Sequence, residues 1–169
     1  MSTDDLSAIE RTFDAEGRAG VPDPVSSGSW DSVGGRSSVD LRETAERAVR
    51  ALVDLERADE FLACLSPDVT WRIPGDWPGI SGVKDRAGVE RFVHRGMPAG
   101  FPEGLEIELH AVHCAGGVAV VEFTGRARTS RGRSYENEYC FVLEFRDGMV
   151  LRIREYMDTS YADSVLHTD

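Results

Sequence analysis

Apolar residues recur along the chain with two different periods, and the first of these periods predicts helices. After Asp40, apolar residues stand at positions 41, 45, 48, 52 and 55, in steps of four and three. This spacing gives a helix with one apolar face, and Asp40 with Glu43 three residues later would cap its start. The segment "DEFLACL" continues the helical pattern up to Pro67, and "KDRAGVERFVHRGM" predicts another helix capped by Asp85. Between these two segments, "VTWRIPGDWPGISG" predicts a short strand that breaks into a Pro/Gly loop.

From residue 105 onward, apolar and polar residues alternate with a period of two, which is typical of half-buried strands. Four segments show this alternation: "LEIELHAVHC", "VAVVEFTGRART", "SYENEYCFVLEF" and "MVLRIREYM". Turn residues separate them, and Asp147-Gly148 before the last segment is a strong signal for a tight hairpin. Helices followed by an antiparallel meander indicate an α+β fold, with the helices packed on one face of the sheet.

The first part of the chain, residues 1–39, shows little periodicity and is rich in Gly, Ser, Pro and Asp. This composition predicts a flexible tail, in which Leu6, Ile9 and Phe13 could line one short helix. Trp30 is either an exposed tail residue or a residue that docks over a cavity mouth, and both interpretations stay open. The ordered domain is therefore expected over residues 40–169.

The charge and the lack of long apolar runs narrow the choice of partners and compartment. The formal net charge of −11 argues against a nucleic-acid surface, which needs clustered Lys and Arg, and against an anionic membrane surface. No apolar run approaches the roughly 20 residues of a membrane-spanning helix. Because the start of the chain also lacks the order of a signal peptide, we expect a cytoplasmic protein.

Motifs for metals and cofactors are absent from the sequence. Cys64, Cys114 and Cys140 form no CxxC pair and read as free thiols among apolar residues. No HExxH motif, clustered Asp motif, phosphate loop or GxGxxG fingerprint occurs. The sequence therefore predicts neither a metal nor a cofactor.

One carboxylate interrupts the alternation of the last predicted strand, "MVLRIREYMDTSY". Glu155 has the parity of the apolar residues of this strand, which are Met149, Leu151, Ile153 and Met157. A carboxylate on a covered apolar face must be paired, hydrogen-bonded or neutralised. Burial also raises its pKa, which suits proton exchange near neutral pH. The alternative is a residue near a strand end that is open to water or salt-bridged to an arginine.

Three further polar residues are candidates for the same pocket. Asn137 has the parity of Tyr135 and Tyr139 on the third strand, where its amide would bind a ligand or a neighbouring strand. Glu122 is a second buried carboxylate only if its side of the second strand faces the helices, which the alternation leaves open. His94 ends the third helix beside apolar positions, so it either points into the pocket or is a structural residue.

The C-terminal half resembles a known superfamily. The segment "YENEYCFVLEFRDGMVLRIREYMDT", preceded by "FPEGLEIELHAV" and "VVEFTG", is similar to the nuclear transport factor 2-like (NTF2-like) superfamily. Within it, the chain looks most like SnoaL-like polyketide cyclases and phenazine-biosynthesis A/B proteins, over about residues 40–166. The resemblance implies a cone-shaped α+β barrel in which helices and a strongly bent sheet enclose one deep apolar pocket. It also implies a homodimer and acid–base chemistry without a cofactor.

The same resemblance implies roles for individual residues. The acid–base residue of the last-strand motif falls on Glu155, and the histidine of phenazine-type relatives falls near His94. Relatives that hydrolyse epoxides carry Arg-x-Asp where this chain has Glu122-Phe123-Thr124, which argues against epoxide hydrolysis. Six residues are expected to bind the substrate: Trp71, Trp77, Tyr135, Asn137, Tyr139 and Ile153.

Two functions of different classes follow. The first is a cofactor-independent acid/base enzyme of secondary metabolism, for example of antibiotic biosynthesis. It would be a lyase or isomerase (a cyclase, dehydratase or isomerase) acting on an apolar, carbonyl-bearing small molecule. Glu155 would be the acid/base, while Glu122, Asn137 or His94 would orient the substrate or stabilise an enolate. The second is a non-catalytic small-molecule-binding or scaffold module of a biosynthetic pathway.

The surroundings of Glu155 separate these two functions. Two or more polar groups converging near Glu155 favour the enzyme. An apolar or filled pocket, or a Glu155 neutralised by an internal arginine, favours the binding module. A third hypothesis is that the tail regulates access to the pocket through Trp30.

Overall fold

A computed structural model of the chain describes residues 38–77 and 79–166. The predicted tail lies outside the described residues except for Ser38 and Val39. The expectations for its short helix and for Trp30 therefore stay predictions.

Most helices precede the last four strands along the chain, as the two periods predict, although two strands lie among the helices and one helix follows the strands. The helical elements are α1 (Ser38–Val53), a 3-10 turn (Leu55–Arg57), α2 (Ala58–Ala63), α3 (Arg86–Arg91), a π-helical segment (Phe92–Gly96), α4 (Met97–Gly100) and α5 (Thr159–Leu166). The strands are β1 (Leu65–Ile73), β2 (Gly82–Lys84), β3 (Glu106–Ala115), β4 (Val118–Arg128), β5 (Ser134–Arg146) and β6 (Met149–Met157). The predicted α+β class is confirmed.

The apolar face predicted for α1 is buried, but the helix begins earlier than the capping pattern indicates. The buried residues of this face are Leu41, Ala45, Ala48 and Leu52. Asp40 lies inside α1 rather than before it, so its predicted capping role is wrong. Pro67 does not end a helix, because α2 stops at Ala63 and Pro67 already belongs to β1. Asp85 does cap α3, since its Oδ1 accepts a hydrogen bond from Gly88 N at 2.8 Å.

The six strands form one curved, unclosed sheet in the order β2-β1-β6-β5-β4-β3. The neighbours β3, β4, β5 and β6 pair antiparallel, as the meander predicts. The strand β1, however, pairs in parallel with β6, and the short strand β2 was not predicted. The parallel pairing places Trp71 beside Ile153, so residues far apart in the sequence meet on the inner face of the sheet.

A β-bulge in β6 decides which side chains face inward. Glu144 pairs with Arg152 and Phe145 with Val150, so Leu151 is left as the extra residue. Val150 is buried before the bulge, and Ile153 and Glu155 are buried after it. The predicted inward parity is therefore correct for Ile153 and Glu155. It is wrong for Leu151 and Met149, which are only half-buried.

Two glycines allow close approaches that shape the interior. Gly104 has φ +75°, and a Cβ there would lie 2.5 Å from the Val53 carbonyl oxygen, where α1 ends. A Cβ on Gly125 would lie 2.9 Å from Leu105 Cδ2 and 3.0 Å from Tyr139 Cε2. Gly125 thus makes room for the Tyr139 ring on the inner face.

The core lies between the helices and the inner face of the sheet, around the indole of Trp71. The ring of Trp71 makes edge contacts with Phe92 and Phe141, at centroid distances of 5.3 and 5.9 Å. Trp71 is only 1% exposed. Among the described residues, no helix combines the length and the hydropathy needed to cross a membrane.

Candidate active site

A narrow apolar cavity of about 70 Å³ lies between the helices and the inner face of β1, β4, β5 and β6. Its walls are mostly apolar and include Leu52, Phe92, Met97, Phe101, Phe123 and Phe141. Five lining residues carry a polar side-chain group: Trp71, Trp77, Tyr135, Tyr139 and Glu155. An engineered cavity of about 150 Å³ is known to take up benzene. A ring-sized ligand would therefore require wall residues to move.

Glu155 is the single carboxylate among the described lining residues. It is 5% exposed, and its Oε2 accepts a hydrogen bond from Trp71 Nε1 at 2.9 Å. Burial raises the pKa of Glu155 to about 7, whereas the Lys84 ammonium and the Trp71 hydrogen bond act to lower it. The carboxyl group is consequently divided between its acid and base forms near neutral pH.

Among the described residues, Lys84 at the end of β2 is the cation whose charge acts on the pKa of Glu155. Its side chain is 8% exposed, its Nζ donates a hydrogen bond to the Ile80 carbonyl oxygen, and it stands 5.5 Å from the centroid of the Phe92 ring. Burial lowers the pKa of Lys84 to about 8, while the charge of Glu155 opposes this shift. Two buried groups of opposite charge thus both titrate close to neutrality.

Tyr135 and Tyr139 form a hydroxyl pair on β5, on another part of the cavity wall. Their Oη atoms are 2.6 Å apart, and Asn137 Nδ2 donates to the Tyr135 hydroxyl at 3.1 Å. Burial raises the pKa of Tyr135 to about 12 and also raises the pKa of Tyr139. Both phenols therefore stay protonated and able to donate at neutral pH.

Asn137 is buried beneath this pair and binds the chain that follows β6. Its Nδ2 donates to the Asp158 carbonyl at 2.9 Å, and its Oδ1 accepts from Asp158 N at 3.2 Å. The Asp158 carboxylate in turn caps α5 by accepting from Tyr161 N at 2.8 Å. Asn137 does not line the cavity, so the structure favours the alternative in which its amide binds a neighbouring segment.

The expectation that His94 points into the pocket is wrong. His94 lies in the π-helical segment, two residues beyond the lining residue Phe92. Two residues turn a side chain nearly to the opposite side of a helix. The His94 side chain is accordingly 47% exposed, and its Nε2 lies 3.6 Å from Asp59 Oδ1 at the surface.

The placement of Glu122 as a second buried carboxylate is also wrong. The neighbours Val121 and Phe123 are buried on the inner face of β4, so alternation turns Glu122 outward into solvent. Neither Glu122 nor His94 is among the cavity-lining residues.

The predicted substrate-binding residues divide into two groups. Trp71, Trp77, Tyr135 and Tyr139 line the cavity. Ile153 is buried in the core and Asn137 supports the wall, but neither of them faces the cavity. The residue that the sequence analysis missed is Lys84. A signal was present, because Lys84 is the only lysine among the 19 basic residues of the chain.

Within residues 38–77 and 79–166, no cluster of three or more His, Cys, Asp and Glu residues is arranged to hold a metal ion. In the same part of the chain, no arginine forms an ion pair with Glu155. The arginines of β6 bind Glu144 on the outer face instead, with Arg152 at 2.9 Å and Arg154 at 3.0 Å. The alternative in which an arginine neutralises Glu155 is therefore excluded for these residues.

The family profile of the SnoaL-like domain matches residues 45–153, which is more than half of the chain. The chain belongs to the SnoaL-like family. This membership confirms the resemblance read from the C-terminal motif, and the curved sheet with its packed helices is the cone of the NTF2-like fold. A comparison of the sequence with curated proteins gives no match.

Several solved structures share this SnoaL-like fold. An NTF2-like protein of unknown function from Burkholderia pseudomallei superposes with a TM-score of 0.68 at 24% identity, covering 78% of this chain and 99% of the other. An epoxide hydrolase of the LEH-like type from M. tuberculosis gives 0.61 at 20% identity, with coverages of 76% and 90%. A protein with a ketosteroid isomerase-like fold from Catenulispora acidiphila, in complex with trimethylamine, gives 0.63 at 12% identity, with 75% and 94%. At these identities the likeness shows the fold.

Proposed function

We propose that this SnoaL-like protein is a cofactor-independent acid/base enzyme in which Glu155 transfers a proton to or from an apolar, carbonyl-bearing small molecule. The reaction class is an isomerisation, dehydration or cyclisation in secondary metabolism. The observation that carries the proposal is a buried carboxyl group, with a pKa of about 7, in the wall of an otherwise apolar cavity.

The hydrogen bond from Trp71 assigns different roles to the two oxygens of Glu155. Trp71 Nε1 fixes Oε2, which leaves Oε1 to exchange a proton with the substrate. In the base form, Oε1 removes a proton from the carbon next to the substrate carbonyl, and in the acid form it returns a proton to another position. A pKa near the working pH supports both directions.

The tyrosine pair supplies a donor for the oxygen that becomes negative in such a reaction. Tyr135 and Tyr139 have two hydroxyl hydrogens, and their mutual bond uses one of them. Asn137 donates to the Tyr135 oxygen and therefore occupies neither phenolic hydrogen. Whichever tyrosine donates to the other, the second phenolic hydrogen remains available to a ligand in the cavity. A neutral donor aimed at a developing enolate oxygen stabilises the transition state more than the ground state.

The test needs no knowledge of the natural substrate. Apolar enolisable ketones of one and two rings are incubated with the protein in D₂O, and hydrogen–deuterium exchange next to the carbonyl is followed by NMR. We expect exchange above the buffer rate with the wild type and a loss of 10²-fold or more in Glu155→Gln, because acid–base groups contribute about 10²–10⁴-fold.

Two exposed residues provide matched controls. Glu122→Gln removes a carboxylate from the outer face of β4, and His94→Ala removes the histidine at the surface. Both variants should exchange at the wild-type rate. Exchange by folded Glu155→Gln within about tenfold of the wild type contradicts the assignment of Glu155.

The second candidate function is a non-catalytic small-molecule-binding module, and the narrow apolar cavity favours it specifically. Binding of the same ketones is measured through the fluorescence of Trp71 and Trp77, both of which line the cavity. Saturable quenching without exchange above the buffer rate would identify a binding module. Quenching together with Glu155-dependent exchange would identify an enzyme.

A further inference from the structure

Lys84, the one lysine of the chain, is buried behind the cavity wall. The chain also has 18 arginines, and none of those within the described residues pairs with Glu155. Lys84 is the last residue of β2 and stands directly opposite Trp71 on β1. The same Trp71 donates its indole N–H to Glu155. Trp71 thus connects the two residues, because it is paired with Lys84 across the sheet and donates a hydrogen bond to Glu155.

Two contacts hold the Lys84 side chain in this position. Its Nζ donates to the Ile80 carbonyl oxygen and lies 5.5 Å from the centroid of the Phe92 ring. Phe92 in turn makes an edge contact with Trp71 at 5.3 Å. Because Ile80, Phe92 and Trp71 all line the cavity, the ammonium group lies just behind the wall that a ligand would touch.

The charged residues next to Lys84 point elsewhere. Asp85 caps Gly88 N at the start of α3. Arg86 donates to Glu90 and to the carbonyls of Leu62 and Leu65. Arg72, the neighbour of Trp71 on β1, is exposed on the outer face.

The titratable groups that face Glu155 from the other strands are neutral at pH 7. These are the phenols of Tyr135 and Tyr139 on β5, whose pKa values are raised by burial. The charge of Glu155 also acts on both phenols. Lys84 is therefore the cation, among the described residues, whose charge acts on the Glu155 carboxyl.

We propose that Lys84 is a positioning residue for Glu155: its ammonium, held behind the wall by Ile80 and Phe92, stabilises the carboxylate that accepts a proton from the substrate. This inference rests on the proposed function of Glu155. Linkage makes the effect reciprocal, so loss of either charge must alter the proton affinity of the other group. Burial is the larger influence on both pKa values, and against it the charge of Lys84 acts to lower the pKa of Glu155 while the charge of Glu155 acts to raise the pKa of Lys84.

The first test follows the ionisation of Glu155 without any substrate. The ¹H–¹⁵N resonance of the Trp71 indole, assigned with Trp71→Phe, is recorded from pH 5 to 9 in the wild type, Lys84→Met, Lys84→Arg and Arg72→Met. In Lys84→Met the midpoint of this titration should rise by about one pH unit or more, which corresponds to a tenfold gain in the proton affinity of Glu155. Lys84→Arg keeps the cation, and Arg72→Met removes an outward one, so both should titrate like the wild type. An unchanged midpoint in Lys84→Met overturns the inference.

A reciprocal measurement remains decisive even if Lys84→Met fails to fold. Labelling with [ε-¹³C]lysine gives a single side-chain resonance, because the chain has one lysine. Its midpoint, about 8 in the wild type, should fall in Glu155→Gln, since the favourable charge is lost. Identical midpoints in the wild type and Glu155→Gln overturn the inference.

The pH profile of ketone exchange separates this inference from the proposed function. If both hold, Lys84→Met loses activity at pH 7 and recovers it toward pH 9, where Glu155 ionises again. If Glu155→Gln abolishes exchange but Lys84→Met keeps the wild-type profile, Glu155 remains the acid/base and the role of Lys84 is refuted. If Lys84 and Glu155 are linked in the NMR titrations but exchange does not depend on Glu155, the proposed function alone is refuted.

Discussion

Two carboxylates of the final hairpin, Glu155 on the inner face and Glu144 on the outer face, are stabilised in different ways. Glu155 on β6 faces the cavity, with Trp71 as its hydrogen-bond donor. Glu144 on β5 faces outward, where Arg152 and Arg154 contact its two oxygens at 2.9 and 3.0 Å. The outer carboxylate is thus paired with guanidinium groups, which stay charged at every accessible pH.

The difference lies in whether the partner can change its charge. An arginine inside would hold Glu155 in its ionised form, whereas a buried lysine with a pKa of about 8 can release its own proton. The inner face therefore holds two groups that titrate near neutrality, at a cost in stability. The outer face holds fixed ion pairs that support the sheet.

The largest predicted effect that separates the two faces is the pH dependence of stability. Burial raises the pKa of Glu155 from 4.5 to about 7, so between these values the folded protein binds more protons than the unfolded chain. The free energy of unfolding should accordingly fall as the pH rises from 4.5 to 7, by up to about 3 kcal/mol. Urea unfolding at each pH measures this fall.

The matched variants for this prediction are Glu155→Gln and Glu144→Gln. The decrease in the free energy of unfolding between pH 4.5 and 7 should be absent in Glu155→Gln and should persist in Glu144→Gln. Lys84 contributes with the opposite sign, because its pKa is lowered from 10.5 to about 8, so stability should rise between these values. Parallel stability profiles of the wild type and Glu155→Gln would mean that Glu155 does not titrate in this range.

A smaller effect is expected from the tyrosines of the two faces. Tyr135→Phe removes the hydroxyl that accepts from Asn137 and bonds to Tyr139, so ketone exchange should slow about 10²-fold. Tyr156→Phe alters a side chain that is 42% exposed on the outer face and should leave the rate unchanged. Equal rates for the two variants would exclude the tyrosine pair from the chemistry.

The smallest effect belongs to the outer ion pairs. In Arg152→Met, Glu144 keeps its contact with Arg154, so the free energy of unfolding should fall by less than about 1 kcal/mol. The loss should shrink further in 1 M salt, because exposed charges are screened there. If the free energy of unfolding of Arg152→Met falls by more than about 2 kcal/mol in urea unfolding, the outer ion pairs stabilise the fold more strongly than exposed pairs are expected to.

Local patterns in the sequence were sufficient to predict most of the fold and the inward position of Glu155. Alternation over nine or more residues fixed β3 to β6, and the Asp147-Gly148 turn fixed the last hairpin. In the structure both turn residues have positive φ, 52° and 79°, as the favoured hairpin turn requires. The Glu155 prediction survived because the bulge at Leu151 lies before it, so the parity with Ile153 is kept.

The remaining features depend on pairings between distant segments, which local periodicity does not record. β2 is three residues long, so only its register against Trp71 shows that Lys84 points inward. The parallel pairing of β1 with β6 brings Trp71 to Glu155 across 84 positions. The prediction for His94 was wrong because the spacing of apolar residues does not reveal a π-helical segment. The prediction for Glu122 was wrong because the alternation along β4 does not show which of its faces points inward.

The central claim is that Glu155 exchanges its proton near neutral pH, and the most direct measurement is the titration of its carboxyl carbon. Glutamate labelled with ¹³C at the side-chain carboxyl gives this resonance, which is identified by its absence in Glu155→Gln. The account predicts a midpoint close to pH 7. A midpoint below pH 5 would show an ordinary carboxylate that stays ionised at neutral pH, and it would contradict the account.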